Sequence, residues 1–349
     1  MSSHTHSIVY KDSSHYKQSS VYNEIMNELN NHWDRRSFVD NPWFGRVGFR
    51  NKDIAYNSVS LNKLQSVLTK LDKINTHTPT EESKGNKEEK DIADDDNVDV
   101  YINDILHILK ILYLCETCEC EFDEKSVDTV AIMDEIDVKR EKPDNIDNKT
   151  WIRMVNLHNT FETYIGFNQK ILNQMTKQIH ITDELIIQIH SSIMNGIDTS
   201  IESNKFRTFE VTYSGSYHRF YNLHKFIKKQ IKALLVFVNN KQEEISCYTN
   251  RYKQIQDIIH LTAIFMAKFL KIHPFGDGNG RTARFILNLL MKPYCFIPFS
   301  VYLKNRDVYL DVLKHAQSTN SYEGLNTLST YILHCFDNVI GEFDELVGS

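Results

Sequence analysis

The chain has 349 residues, of which 41% are hydrophobic and 25% are charged, and its formal net charge is −6. This length leaves room for about two domains, and the small numbers of glycine (12) and proline (6) favour helices over a turn-rich β architecture. The acidic balance argues against a nucleic-acid binder, and the lack of an apolar run long enough for a signal peptide or a membrane span predicts a cytoplasmic protein without a membrane partner.

The first part of the chain alternates polar segments with helical patterns. Residues 1–20 are polar, which predicts a disordered tail. Residues 21–74 carry apolar residues three and four apart and predict a helical N-terminal region. Residues 75–97 are almost free of apolar residues and dense in charge, which is typical of an acidic linker or insertion. From residue 98 onward the pattern is helical nearly throughout.

A helical segment over residues 98–145 contains the sequence CETCEC. Cys115 and Cys118 have the CxxC spacing of zinc sites, but no second pair of this kind completes the four donors of a closed site. Thiols on a helix are the favoured interpretation, and a zinc site is the alternative.

Residues 150–345 predict a helical domain. Thr182 precedes the apolar run DELIIQIHSSIM and has the side chain of an N-cap. Residues 207–220 break the helical pattern, because Phe209, Val211 and Tyr213 alternate with polar residues before a Ser-Gly turn. That alternation predicts a short β-hairpin set among helices.

Residues 273–284, HPFGDGNGRTAR, join two apolar helices, one ending near Ile272 and one beginning near Asn279. Three glycines at 276, 278 and 280 free the backbone to turn its N–H groups toward one point. Such a nest binds anions, and the N-terminus of the following helix adds to its positive potential.

The charged residues of this segment agree with a polyphosphate ligand. Arg281 and Arg284 are three residues apart on one helix face, and guanidinium groups suit phosphate oxygens. Asp277 beside a phosphate is reasonable if a divalent cation such as Mg²⁺ lies between them. His273 is then a candidate proton acceptor. The segment is neither a P-loop, which needs Lys-Ser/Thr after the glycines, nor a dinucleotide fingerprint, which follows a strand.

HPFGDGNGRTAR resembles the motif HxFx(D/E)GNGRxxR of the Fic (Fido) family at every fixed position, and the resemblance extends over residues 105–320. It implies an all-α Fic-fold helical bundle with a β-hairpin flap and a core over 182–330. It also implies transfer of AMP from ATP to a Ser, Thr or Tyr hydroxyl of a target protein.

The resemblance also implies roles for individual residues. His273 would be the catalytic base, and Asp277 would hold Mg²⁺ (or Mn²⁺). Tyr309 and Gln317 would contact the adenine, although asparagine is more usual than Gln317 and burial of Tyr309 in the core is the alternative. The flap would dock the target by strand addition through Val211, Thr212, Tyr213 and Ser214. The ATP-binding set would be Asp277, Gly278, Asn279, Gly280, Arg281, Thr282, Ala283 and Arg284, with Arg284 at the γ-phosphate.

Many Fic proteins carry an inhibitory helix of pattern (S/T)xxxE(G/N), whose glutamate pairs with the second arginine of the motif. Glu119 takes the glutamate position here. Cys115 stands in place of the Ser or Thr of this pattern, and Cys120 stands in place of its glycine. Residues 58–62, SVSLN, are a rival with asparagine instead of glutamate, and a solvated acidic helix is the other interpretation. An inhibitory Glu119 would imply low basal activity and removal of AMP by the same site.

Other functions remain open from the sequence. The same family includes enzymes that transfer UMP, phosphocholine or phosphate. A non-catalytic nucleotide-binding module is a further alternative, although a module has no chemical need for both His273 and Asp277. A homodimer is allowed, and nothing in the sequence specifies the target protein.

Overall fold

The computed structural model describes residue 27 and then residues 106–118, 129–138, 141–166 apart from 145, 178–197, 204–211, 224–301 apart from 296, 306–318 and 322–348. The predictions for the N-terminal tail, the helical region over 21–74 and the acidic linker therefore lie outside the described residues, residue 27 excepted. Glu119 and Thr212, Tyr213 and Ser214 also lie outside them.

The described residues form a helical bundle, which confirms the predicted fold class. The helices in chain order are α1 (106–118), α2 (Thr129–Val138), α3 (Asn148–Tyr164), α4 (Asp183–Met194), a 3₁₀ turn (His224–Phe226), α5 (Ile227–Ser246), α6 (Arg251–Ile272), α7 (Asn279–Met291), α8 (Arg306–Ser318) and α9 (Tyr322–Gly348). Residues 204–211 contain no regular element, and the rest of the predicted hairpin lies outside the described part of the chain.

Side-chain caps begin three of these helices. Thr182 accepts the Leu185 N–H at 3.1 Å, which confirms the predicted cap of α4. Asp147 accepts the Thr150 N–H at 3.0 Å, and its hydrogen bonds with Thr150 hold the pKa of this carboxyl below its usual value. Asn250 caps α6 in the same way. Each cap satisfies an N–H group that the first turn of a helix leaves without a partner.

Helix α6 is the centre of the bundle. Helices α5, α7, α8 and α9 all pack against it, and its buried residues include the predicted apolar stripe of Ile258, Leu261, Phe265, Phe269 and Ile272. Because α6 is apolar on several faces, it can be covered from more than one side, as is typical of a buried helix. Its C-terminal end therefore has a fixed position within the fold.

Helix α1 packs on α3 and α7. The ring centroid of Tyr113 lies 5.7 Å from that of Phe161 and 5.8 Å from that of Phe285. Lys110 forms an ion pair with Glu162 at 2.9 Å. The two cysteines of the CxxC spacing are buried on this helix. Within the ranges described above, no helix combines the length and the apolar character that crossing a bilayer requires.

Buried asparagines connect helices to irregular chain. Asn239 of α5 accepts the Ile181 N–H at 2.9 Å and donates to the Ile181 carbonyl at 2.8 Å. Asn288 of α7 makes the same pair of bonds with Phe299, both at 3.0 Å. The side-chain amide thereby bonds both the N–H and the carbonyl of a buried residue that lies outside any helix or strand. Without these hydrogen bonds the two backbone groups would be costly to bury.

We predict that Asn288→Ala lowers the free energy of unfolding by about 2 kcal/mol or more, because it leaves the buried Phe299 N–H and carbonyl without their partner. Thermal or denaturant unfolding measures the change. The control is Asn240→Ala, an exposed asparagine on α5, which should change stability by no more than about 0.5 kcal/mol. Equal effects of the two variants would contradict this role of Asn288.

Candidate active site

The candidate site is the connection between α6 and α7, and it begins at a strained histidine. The predicted helix ends near Ile272 and Asn279 are confirmed. His273 has φ 52° and ψ 65°, and its N–H donates to the Phe269 carbonyl at 2.9 Å. It is the only non-glycine residue with positive φ in the described part of the chain. This conformation costs roughly 1–2 kcal/mol for a residue with a Cβ, and such strain is typical of functional sites.

The loop turns at Gly278, whose φ is 77°. A Cβ at this position would lie 2.7 Å from Met194 Sδ and 3.3 Å from His190 Cδ2, so α4 approaches the backbone closely here. Gly276 and Gly280 do not have positive φ, so among the three glycines of the loop only Gly278 adopts a conformation that requires glycine. Gly280 already lies in the first turn of α7.

Asn279 closes the loop from inside. Its Oδ1 accepts the Phe275 N–H at 3.0 Å, and its Nδ2 donates to the Phe275 carbonyl at 2.9 Å. The side chain of Asn279 is 2% exposed. Any contact of Asn279 with a phosphate therefore falls on its backbone N–H at the start of α7, not on its amide.

The acidic and basic groups of the loop are paired. Asp277 Oδ1 accepts the Gly278 N–H at 2.6 Å, and Oδ2 lies 3.2 Å from Arg281 Nη2. The Asp277 side chain is 46% exposed, whereas that of Arg281 is 5% exposed. Arg281 Nε is buried and has no hydrogen-bond partner among the described residues. The Asp277 carboxylate is therefore the solvent-accessible member of this ion pair.

Arg284 lies deeper than the sequence suggests. It is 1% exposed, and its Nη2 donates to the Thr117 carbonyl at 3.3 Å, at the C-terminal end of α1. The two residues before Arg284, Thr282 and Ala283, are fully buried. The Thr282 hydroxyl donates to the Gly278 carbonyl at 2.9 Å. Their side chains support the loop, so contact with a nucleotide would be limited to backbone atoms.

His190 of α4 supports the loop from below, and the sequence analysis did not identify it. It is fully buried, its Nε2 lies 2.9 Å from the Asp277 carbonyl oxygen, and its ring stacks on Phe275 at 3.6 Å between centroids. The carbonyl can only accept, so Nε2 carries the proton. A single histidine on an apolar helix face gives no pattern by which this contact could be predicted.

Arg207 is the second residue that the sequence analysis missed. Its side chain is fully buried, and it donates to three consecutive carbonyls at the end of α6. Nη2 lies 3.4 Å from Ile272 O, Nε 2.7 Å from His273 O, and the main-chain N–H 2.8 Å from Pro274 O. Burial lowers the pKa of this guanidinium, and the nearby Glu210 carboxylate counteracts the shift.

The start of the predicted flap is attached to the site. Arg207 Nη1 donates to the Phe209 carbonyl at 2.6 Å, and Glu210 Oε1 lies 2.6 Å from His224 Nδ1. The Glu210–His224 contact connects the segment that precedes residue 212 with the segment that follows residue 223. Phe209 is 48% exposed and Phe226 42% exposed, and Val211 is half-buried.

The predicted adenine residues lie on α8. Tyr309 is 3% exposed, and its ring centroid lies 6.3 Å from that of Tyr331 of α9. Gln317 is half-buried near the end of the same helix. Tyr309 therefore has a packing role in the core, and contact of either residue with an adenine stays a prediction.

The fold and the site together define a class of protein. Within the described helical bundle, a histidine and a carboxylate lie in a loop with a glycine turn that leads into a helix N-terminus with an arginine in its first turn, and such an N-terminus can bind an anionic group such as a phosphate. Residues 180–291 match the Fic/DOC family. This match over residues 180–291 agrees with the resemblance of the motif to the Fic family.

Comparison with known proteins gives the same family. The chain is 32% identical over 143 residues to protein adenylyltransferase fic-1 of Caenorhabditis elegans, covering 41% of this chain and 25% of that relative. It is 26% identical over 172 residues to protein adenylyltransferase Fic of Nematostella vectensis, covering 49% of this chain and 36% of that relative. The chain thus spans about a quarter to a third of the length of these relatives.

Solved structures share the fold. A fragment of C. elegans Fic-1 superposes with a TM-score of 0.57 at 18% identity, covering 83% of this chain and 73% of the fragment. A Fic domain containing signaling protein of Bacteroides thetaiotaomicron superposes with a TM-score of 0.60 at 15% identity, covering 82% and 97%. At these identities the similarity establishes the fold.

We predict that Gly278→Ala destabilises the protein more than Gly196→Ala. Both glycines have positive φ, but a Cβ at Gly196 would meet only Ile152 Cγ2 at 4.0 Å. The Gly196 variant should therefore show only the backbone cost of about 1 kcal/mol, whereas the Gly278 variant adds overpacking against Met194 of about 1–3 kcal/mol. Denaturant unfolding measures both. Indistinguishable losses would mean that α4 moves away from the loop without cost.

Proposed function

We propose that this protein is an adenylyltransferase that transfers AMP from ATP to a Ser, Thr or Tyr hydroxyl of a target protein. The observation that carries this proposal is the α6–α7 connection, a loop that begins at His273, contains Asp277 and leads into the N-terminus of α7, where Arg281 pairs with Asp277. The relatives named protein adenylyltransferase support it, as does the family match over residues 180–291, which contains this connection.

In the proposed reaction the target hydroxyl oxygen attacks the α-phosphorus of ATP. A bond forms between that oxygen and the phosphorus, and the bond from the α-phosphorus to the oxygen bridging to the β-phosphate breaks. The proton of the hydroxyl passes to the His273 imidazole, and pyrophosphate leaves with the electrons of the broken bond. His273 suits this role because its imidazole accepts a proton near neutral pH and stands at the entrance of the loop.

Backbone and guanidinium groups would bind the phosphates. The first N–H groups of α7 have no partner within the helix, and the helix N-terminus favours negative charge. Arg281 adds a positive charge next to them, and its buried Nε has remaining capacity to donate. Catalysis by such a site comes mainly from positioning the nucleophile and from stabilising charge in the transition state.

Asp277 fits the role of a Mg²⁺ ligand. Its carboxylate is the only acidic group of the loop sequence, it is half exposed, and one of its oxygens faces Arg281. Mg²⁺ is commonly held in proteins by one or two carboxylates together with phosphates of the substrate. When bound, the ion would neutralise phosphate charge, and Asp277 would hold it on the protein side.

Target docking would occur beside the loop. The chain from Phe209 leads into the predicted flap residues Val211, Thr212, Tyr213 and Ser214, and strand addition to this segment would bring a target hydroxyl near His273. The exposed rings of Phe209 and Phe226 supply apolar surface at its base. On α8, Tyr309 and Gln317 are our candidates for adenine contact.

The position of Arg284 supports regulation by α1. A guanidinium that is 1% exposed and hydrogen-bonded to Thr117 is not accessible to a γ-phosphate unless the end of α1 moves. Glu119 follows Thr117 by two residues in the sequence. We propose that Glu119 pairs with Arg284, keeps transfer activity low and orients a water for removal of AMP.

We predict that His273→Ala lowers transfer by about 100-fold or more, because general base catalysis is lost. ATP affinity should change by less than about two-fold, since the imidazole is not placed on the phosphates. The assay follows label on protein in a lysate, using ATP labelled at the α-phosphate and, in parallel, at the γ-phosphate. The control is His180→Ala, an exposed histidine before α4.

AMP transfer requires that the α-label stays on the target and that the γ-label does not. Protein labelled from the γ-phosphate would instead indicate phosphate transfer, and UTP labelled at its α-phosphate tests UMP transfer. Equal labelling by His273→Ala and wild type would contradict the assignment of the base.

We predict that Glu119→Gly raises automodification by about ten-fold or more, because Arg284 becomes available to the nucleotide. The control is Glu116→Gly, which removes a negative charge three residues earlier in the sequence, near the end of α1, and carries a helical cost of glycine of about 1 kcal/mol. Transfer rates of wild type and both variants decide the question. An equal gain in the Glu116 variant, or no gain in the Glu119 variant, would make Glu119 one more charge on a solvated helix.

A further inference from the structure

At the end of α6, three consecutive main-chain carbonyls need hydrogen-bond donors, and one residue, Arg207, supplies them. The last carbonyls of a helix have no intrahelical donor, and here Ile272 and Pro274 are buried while His273 is only partly exposed. Arg207 satisfies the carbonyls of all three, two through its guanidinium and one through its main-chain N–H. Its positive charge also complements the negative end of the helix dipole.

These bonds determine how the side chain of His273 is aimed. The residue holds a left-handed conformation in which its N–H is fixed by Phe269 and its carbonyl by Arg207. The following residue is proline, whose ring fixes its own φ. With both peptide groups of His273 fixed, the direction of its Cα–Cβ bond is fixed, and only the two side-chain torsions stay variable.

We propose that Arg207 is the positioning residue of His273. It does not act on substrate atoms, because its described contacts are with backbone carbonyls and Glu210. Instead it holds the backbone of His273 in its left-handed conformation and so fixes the direction of the Cα–Cβ bond from which the imidazole projects. The inference rests on the proposed function in so far as it takes His273 as the base.

Arg207 also links the base to the segment that leads into the flap. Its Nη1 donates to the Phe209 carbonyl, and Glu210 lies 3.5 Å from the same nitrogen. Glu210 in turn contacts His224, which follows the predicted flap in the sequence. The orientation of His273 and the place where a target would dock are therefore set by one side chain. Loss of its planar fork should lower the rate of transfer more than the affinity for ATP.

The test is Arg207→Lys, which keeps the charge but cannot reach several carbonyls with a fixed fork. We expect the rate of automodification at saturating ATP to fall by about 10- to 100-fold, as misplacement by about 1 Å commonly produces. ATP affinity, measured by calorimetry with ATP and Mg²⁺, should change by less than about two-fold. Both measurements are repeated in the Glu119→Gly background, so that low basal activity does not hide the loss.

The matched control is Arg251→Lys. Arg251 likewise donates from Nη2 to a carbonyl, that of Tyr294, at 2.8 Å. It stands at the first residue of α6, roughly 30 Å from His273 at 1.5 Å per residue. The same chemical change there should leave the transfer rate within about two-fold of wild type while lowering the melting temperature. An equal loss of rate in both variants would overturn the proposal.

A second measurement does not depend on activity. The ring signals of His273 in carbon–proton correlation spectra, assigned by their absence in His273→Ala, should shift or broaden in Arg207→Lys and stay unchanged in Arg251→Lys. Arg207→Gln, which is neutral and of similar shape, provides a second variant for the same spectra. Unchanged His273 signals together with an unchanged transfer rate would mean that Arg207 contributes only to the stability of the fold and does not position His273.

The two levels of the proposal fail differently. If wild-type and Glu119→Gly proteins transfer no AMP, but the His273 signals still respond to Arg207→Lys, the positioning role stands and the proposed function is wrong. If AMP transfer is present and Arg207→Lys leaves both the rate and the signals unchanged, the proposed function stands and the positioning role is wrong.

Discussion

The termination of α6 inside the protein is the constraint on which the site depends. A helix that ended at the surface could give its last carbonyls to water, but this one ends against other parts of the bundle. Donors must therefore come from the protein, and Arg207 supplies them. A buried guanidinium is itself costly to desolvate, and several short bonds to carbonyls offset that cost. The strained backbone of His273 is a result of this arrangement.

The phosphate-binding side of the loop depends on a second support. His190 donates to the Asp277 carbonyl, and Gly278 allows α4 to approach so closely that no Cβ fits between them. The main-chain carbonyls of Asp277 and His273 are thus bonded by residues from two different segments, α4 and residues 204–211. Neither support is part of the motif over residues 273–284.

Much of this structure could be predicted from sequence, and the parts that could not share a physical cause. Periodicity and capping chemistry predicted α4 with its cap at Thr182 and both helix ends around residues 273–278, because these features depend on neighbouring residues. The contacts of Arg207 and His190 join residues 66 and 87 positions apart. No local pattern encodes such contacts. The sequence likewise does not distinguish Gly278 from the other two glycines of the loop, because its positive φ and the close approach of α4 depend on the tertiary structure.

The asparagine pairs of α7 have a mechanical consequence. Asn279 holds Phe275 at the start of this helix, and Asn288 holds Phe299 beyond its end. A translation of α7 along its axis would break the Asn288–Phe299 pair, and the Asn279–Phe275 pair keeps the preceding loop attached to the first turn, so both pairs oppose such a movement. Sliding of α7 along its axis is therefore an unfavourable way to make room for a nucleotide. Access of a ligand to Arg284 would instead require displacement of the end of α1, whose Thr117 carbonyl accepts a hydrogen bond from this guanidinium.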